Sequence, residues 1–411
     1  MAPNTTASCK DGPTYYTPER IAAAEENLQK YDWAKQLFKR IRKGDGFRYY
    51  IGPEYGPAEV YVGKIDDFMW MLQPTTRIAR VVPPEFRAIC PVHGAAVRTL
   101  NPHCPYHIDP INRPYKIQCM MGGEWYPSND YAAGDMTSGE FPDDGDGCEY
   151  KGKTYYFLRE YAHMAYGSTV IPALRSLSQA YALTGEAKYG RKGTILLARL
   201  ASEYPNHNDR RDRLFFALFG GRSPEHSWKT GGMITDLIWE TFCLEGAVYA
   251  YDGLFAYMDQ DPDMLAFLKD RGLPVETGDD LRSYIENYVL RAGMTGLLNG
   301  DIRGNEGHHQ AAALACALVL DDYEGPHPNS RDLLEDAFHG SGHAAYLLIN
   351  GLTRDGGGHE SPGYNRIKLD FIRVNRALEE IRKRRPDLFP LDKYPDLFAD
   401  GKARRLFDCF I

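Results

Sequence analysis

The chain has 411 residues, 43% of them hydrophobic and 25% charged, with a net charge of -8 at pH 7. These are globular rather than disordered proportions, and the length asks for one large or two ordinary domains. The acidic balance, with no lysine/arginine stripe to track phosphates, argues against a nucleic-acid binder; a polyanionic substrate stays open, because only the field inside a cleft decides that.

No run of eighteen apolar residues exists, so no membrane partner is expected. The opening residues 1–9 are polar and lack the hydrophobic centre of an export signal, so either the protein is cytosolic or a signal preceded this numbering. Residues 18–43 read as a helix, with Pro18 near its start. Residues 44–155 change character: Gly, Pro, Asp, Cys and His are frequent and periodicity is weak, the mark of long irregular loops. Within them lie Cys90-Pro-Val-His93, Cys104-Pro-Tyr-His107 and Cys119. Two C-x-x-H pairs and a third thiol could supply a tetrahedral zinc site, with Cys90, His93, Cys104 and Cys119 as ligands, pinning a region short of its own core. Buried thiols beside loop histidines, or a disulfide, remain alternatives. With only eight cysteines spread thinly, a disulfide framework is not expected.

From about residue 156 the pattern turns helical. Helices are expected over 156–184, 191–204, 234–257, 281–298, 311–320, 330–352 and 367–383. Tyr155, Tyr156, Arg159, His163 and Tyr166 recur on one face of the first, read as half-buried surface. Short Gly/Pro/Asp connections predict antiparallel neighbours. With no fixed-period repeat to build a solenoid, the expected fold is mainly α, an incomplete α/α toroid over 156–411 with the loop-rich 1–155 packed on it. The chain stops on Phe410 and Ile411 without a cap, which predicts a fragment with a further domain beyond it.

Three segments carry chemistry. In Gly220 to Gly232, Arg222, His226, Trp228 and Lys229 could line a cleft for an acidic sugar, the cations meeting carboxylate and the indole stacking on the ring; a merely solvated loop is the plainer alternative. In Gly304-Asn305-Glu306-Gly307-His308-His309-Gln310, two imidazoles open a stretch, 311–320, apolar enough to be a buried helix. Polar groups at the mouth of a core helix need partners or a task. On a helix Asn305 and His309 share a face, while His308 is turned aside by roughly 100°. In Asp355 to Tyr364, a glycine-rich turn and Pro362 set Tyr364 at a rigid corner, with His359 and Glu360 beside it as substrate contacts. Histidine and tyrosine can abstract and return protons without metal or cofactor. A uronic acid whose carboxylate is neutralised by Asn305 and His309 has a removable proton at C5, and Tyr364 can protonate the bridging oxygen at C4. That is β-elimination. A free phenol titrates only around pH 10, so Tyr364 as the base demands a neighbouring cation, Arg303 or a histidine.

These motifs, with 163–186 and 228–240, and more weakly Cys90-Pro-Val-His-Gly and Tyr126-Pro-Ser-Asn-Asp130, resemble the heparinase II/III-like polysaccharide lyases over most of residues 85–411. The Glu360-Ser-Pro-Gly-Tyr364 turn is the most specific piece. The resemblance implies an incomplete α/α toroid followed by a C-terminal β-sandwich, with the cleft between them. It implies an acidic polysaccharide as partner and a secreted or periplasmic setting. It places the family's early Asn or His on His308 or His309, and its tyrosine on Tyr364. The chain departs from the pattern in having His308 where Asn often precedes the histidine; Asn305 can substitute one turn earlier. The further histidine and occasional zinc of the family belong to the β domain. Two other functions were weighed: a glycoside hydrolase using carboxylates among Asp301, Glu306, Asp355 and Glu360, and a non-catalytic glycan-binding toroid.

Overall fold

The computed structural model describes residues 8–45, 53–78, 89–102, 104–206, 239–302, 304–340, 344–399 and 401–409. The protein is mainly helical. The expected first helix is two: α1 (Pro18–Lys30), capped by the Thr17 hydroxyl, and α2 (Asp32–Lys43), separated by an extended Tyr31. Short helices α3 (Ala58–Tyr61) and α4 (Asp66–Met71) follow. Then come α5 (Phe157–Ala165), α6 (Ile171–Thr184) and α7 (Ala187–Glu203). A π-helical turn over Tyr166–Val170 makes α5 and α6 one continuous rod. The Tyr/Arg/His stripe on α5 is more deeply placed than expected: Tyr155, Arg159 and Tyr166 are buried.

The core of the second half begins with α8 (Glu240–Leu254), α9 (Pro262–Asp270), α10 (Gly278–Ile285) and α11 (Ala292–Leu298). It continues with α12 (His308–Leu320), α13 (Ser330–His339) and α14 (Ala344–Asn350). The one-turn α15 (Pro362–Asn365), a 3-10 turn over Arg366–Asp370, α16 (Phe371–Arg384) and α17 (Lys402–Asp408) complete the order. The helix expected over 330–352 is therefore interrupted after His339. Helix α12 is buried along 310–320 and packs against α8, α13 and α16, while α6 packs on α7 and α8. A helix apolar on every side is stable only at the centre of a larger core.

Residues 106–155 hold more regular structure than their turn-rich composition indicates. Strands β1 (Tyr106–Asp109), β2 (Arg113–Cys119) and β3 (Trp125–Tyr126) form an antiparallel sheet, and β4 (Cys148–Tyr150) pairs with β5 (Lys153–Tyr155). Alternate residues Tyr115, Ile117 and Cys119 face a small hydrophobic cluster shared with α5. Residues Tyr55 to Leu72 instead join the main helical core.

One buried carboxylate ties the start of the chain to the helices. Asp252 of α8 accepts from Lys10 Nζ at 2.7 Å, Thr14 N at 2.8 Å, Tyr15 N at 2.9 Å and Tyr16 N at 2.8 Å. Burial pushes this carboxyl up, but the Lys10 charge and these donors outweigh it and hold it below its ordinary value. Asp252→Ala should leave Lys10 buried without a counter-charge and lower the unfolding free energy by about 3–5 kcal/mol. Urea denaturation measures it; a loss under about 1 kcal/mol would contradict the assignment.

Candidate functional site

The first polar segment meets the turn that follows the second, residues 367–370. Gly307, at φ +98°, starts α12 and donates its N–H to Gln310 Oε1 at 2.7 Å, one half of a capping box. A Cβ at Gly307 would lie 2.9 Å from the Ile367 carbonyl oxygen and 3.4 Å from Asp370 Cβ, so the approach and the positive φ both require glycine. On one side of this contact the fully buried Lys368 ammonium pairs with Glu306 Oε2 at 3.1 Å. On the other, His308 Nδ1 pairs with Asp370 Oδ2. Residues 306, 307 and 308 thus face 368, 367 and 370 in turn.

Behind His308 runs a line of alternating charge. Arg373 Nη2 donates to the same Asp370 oxygen at 2.7 Å, and Arg373 Nη1 donates to Glu245 Oε2, buried on α8, at 2.5 Å. Burial pushes Asp370 up, yet the hydrogen bond from His308 and the Arg373 charge outweigh it and hold the carboxyl below its ordinary value. Burial acts against the Arg373 charge, while Glu245 and Asp370 more than restore it. The Phe242 ring lies 4.3 Å from the His308 ring, centre to centre, and limits its tilt. With Nδ1 turned to a carboxylate, a neutral His308 carries its proton there and keeps the lone pair of Nε2 for other work.

Tyr364 sits on α15, three residues before Ile367 of the 3-10 turn that follows. It is 53% exposed, and its hydroxyl has no hydrogen-bond partner among the described residues, so the phenol is available to a ligand. The corner under it is fixed: Asn365 Nδ2 donates to the Glu360 carbonyl at 2.6 Å, and Gly358 packs closely on the Asn365 amide. Gly356, at φ +90°, leaves room for the backbone of Arg405.

His359 and Glu360 are exposed on this corner. Asn305 precedes α12 rather than lying on it, and its carbonyl accepts the His309 N–H at 3.1 Å; both side chains are half-buried. The shared helical face expected for Asn305 and His309 is therefore replaced by a turn, because the helix begins at His308. Arg222, His226, Trp228 and Arg303 lie outside the described residues. The metal cluster is met in part: Cys90, His93 and Cys119 bring their ligand atoms within 4.8 Å of one another, while Cys104 stands outside that group. The Pro105 carbonyl accepts from Met120 N at 3.1 Å. Sequence reasoning passed over Asp370, Arg373, Glu245 and Lys368. The only local signal was Asp370 and Arg373 at i,i+3 spacing, which reads as an ordinary surface pair.

Compared with family models, curated proteins and solved structures, the chain matches none.

Because Asp370 titrates lower folded than unfolded, its stabilisation is complete above the ordinary carboxylate value of 3.8 and is lost as pH falls through the lower folded value. The stability gap between wild type and Asp370→Asn should thus be widest at neutral pH and close on acidification. Urea unfolding across pH 2.5–7 reads it, and a gap independent of pH would contradict the pairing.

Proposed function

We propose that the protein is a polysaccharide lyase, cleaving a uronate-containing glycan by β-elimination on an incomplete α/α toroid. The observation that supports this reading is the contact of 306–308 with 367–370, which sets the His308 imidazole against Asp370 just beyond the turn that carries the exposed Tyr364.

In this reading His308 is the base. Its Nε2 lone pair takes the proton from C5 of the uronate, and the C5–H electrons form the C4–C5 double bond as the C4–O bond breaks. The Tyr364 hydroxyl gives its proton to the departing oxygen and regains one from water, to which it is open. Asp370 holds the imidazole in the needed tautomer and steadies the imidazolium that forms, with Arg373 and Glu245 fixing Asp370 in turn. Asn305 and His309, close to His308 in the chain, take the role of neutralising the substrate carboxylate, which makes the C5 proton acidic enough to remove. The chemistry needs no cofactor.

Two of the four carboxylates that a hydrolase would draw on are committed elsewhere, which favours elimination. Glu306 pairs with Lys368, and Asp355 accepts from the Thr353 hydroxyl at 2.5 Å and from Gly357 N at 3.2 Å within its own turn.

Purified protein should release products with the ultraviolet absorbance of an unsaturated uronate from at least one of alginate, heparan sulfate, chondroitin sulfate or ulvan. Tyr364→Phe and His308→Ala should each reduce that rate by about 10²-fold or more. Tyr364→Phe should leave the circular dichroism unchanged, since the ring is exposed. Full activity in either variant would sink the assignment, and new reducing ends without the double bond would turn it toward hydrolysis.

A further inference from the structure

We propose a second site, remote in sequence from the lyase motifs: a divalent zinc-class cation held by Cys90 Sγ, Cys119 Sγ and His93 Nδ1. His93 Nδ1 lies 3.5 Å from Cys90 Sγ and 3.7 Å from Cys119 Sγ. Zinc bonds of about 2.3 Å to sulfur and about 2.0–2.1 Å to nitrogen, at tetrahedral angles, put those donors about 3.6 Å apart. Two thiol hydrogen bonds give a poorer account of the same distances. A single imidazole lone pair accepts one donor well, and here two sulfurs converge on it.

The surroundings of these donors also fit a metal. The other ring nitrogen, Nε2, lies 3.7 Å from Glu124 Oε1, which puts a carboxylate near the side of the ring away from the sulfurs, just beyond hydrogen-bond reach. The second Glu124 oxygen is buried and has no hydrogen-bond partner. Backbone N–H groups of Met121 and Gly122 point at Cys119 Sγ, donors suited to a thiolate. Gly122 is needed there, since a Cβ would run into both Glu124 and the His93 ring.

The fold explains why a cation is useful at this spot. Cys90 bridges to Gly94 in a tight turn, and Cys119 ends β2, so the ion would join two segments whose sheet has few strands and a small core. Binding releases the two thiol protons to solvent and leaves both sulfurs as thiolates. The fourth position is left to solvent, or to Cys104 if that thiol, which lies outside the three converging ligands, moves in when the ion binds.

The full chain, purified from zinc-supplemented cells and dialysed, should contain about one zinc per molecule by plasma mass spectrometry. Cys119→Ser and His93→Ala should each lower this by tenfold or more. Zinc-edge X-ray absorption on the wild type covers the case in which those variants misfold. Two sulfurs with nitrogen and oxygen, or three sulfurs with nitrogen, each support the site, the latter assigning Cys104 as the fourth ligand. A shell of nitrogen and oxygen alone, zinc-free protein, or a Cys90–Cys119 disulfide would overturn the proposal. Lyase activity does not enter this measurement, so the two sites stand or fall separately.

Discussion

The line Glu245–Arg373–Asp370–His308 is the interaction on which the candidate site depends. It draws on α8, α16, the 3-10 turn before α16, and the first residue of α12, so four elements have to be in register for one imidazole to be aimed. The line is self-consistent: Arg373 lies between the Glu245 and Asp370 carboxylates, and Asp370 between Arg373 and the His308 ring. Such an arrangement need not stabilise the fold beyond what apolar side chains would. What it adds is definition, because a displaced member leaves its neighbours buried and unbalanced.

Helix α8 shows how the protein affords these charges in its interior. It is buried on nearly all sides, yet it carries Glu240, Glu245 and Asp252 inward. Each meets a partner from a distant part of the chain: Tyr204 for Glu240 at 3.3 Å, Arg373 for Glu245, and the segment Lys10 to Tyr16 for Asp252. Glu245 and Asp252, seven residues apart, share a helical face and pin different layers to one central rod. For the proposed lyase such rigid surroundings would matter, because a base misplaced by an ångström loses much of its rate advantage.

The helices were largely legible from sequence, since apolar periodicity and the Gly185 stop reflect burial and backbone freedom that act locally. The uniform stretch at 311–320 could only be a core helix, and it is. The histidine and tyrosine segments were legible as polar interruptions of apolar patterns. Their partners were not. Asp370, Arg373 and Lys368 look like the charged face of an ordinary helix, and only the fold brings Glu245 to them from 128 positions away. The start of α12 was missed by three residues because Gly307, at positive φ, begins the helix earlier than hydrophobicity does. With the helix starting there, it is His308 whose ring meets Asp370. In the turn-rich region the alternation Tyr115–Ile117–Cys119 was a strand signal masked by prolines and glycines. The metal cluster was read as four ligands, of which three converge.

The ring of His308 itself offers the most direct test. In nitrogen-15-labelled protein, long-range proton–nitrogen correlation distinguishes a protonated from a bare imidazole nitrogen. With the Asp370 carboxylate at Nδ1, the neutral ring should carry its proton on Nδ1 and leave Nε2 unprotonated, and Asp370→Asn should disturb that preference. A His308 found with its proton on Nε2, or exchanging freely between tautomers in the wild type, would contradict the account.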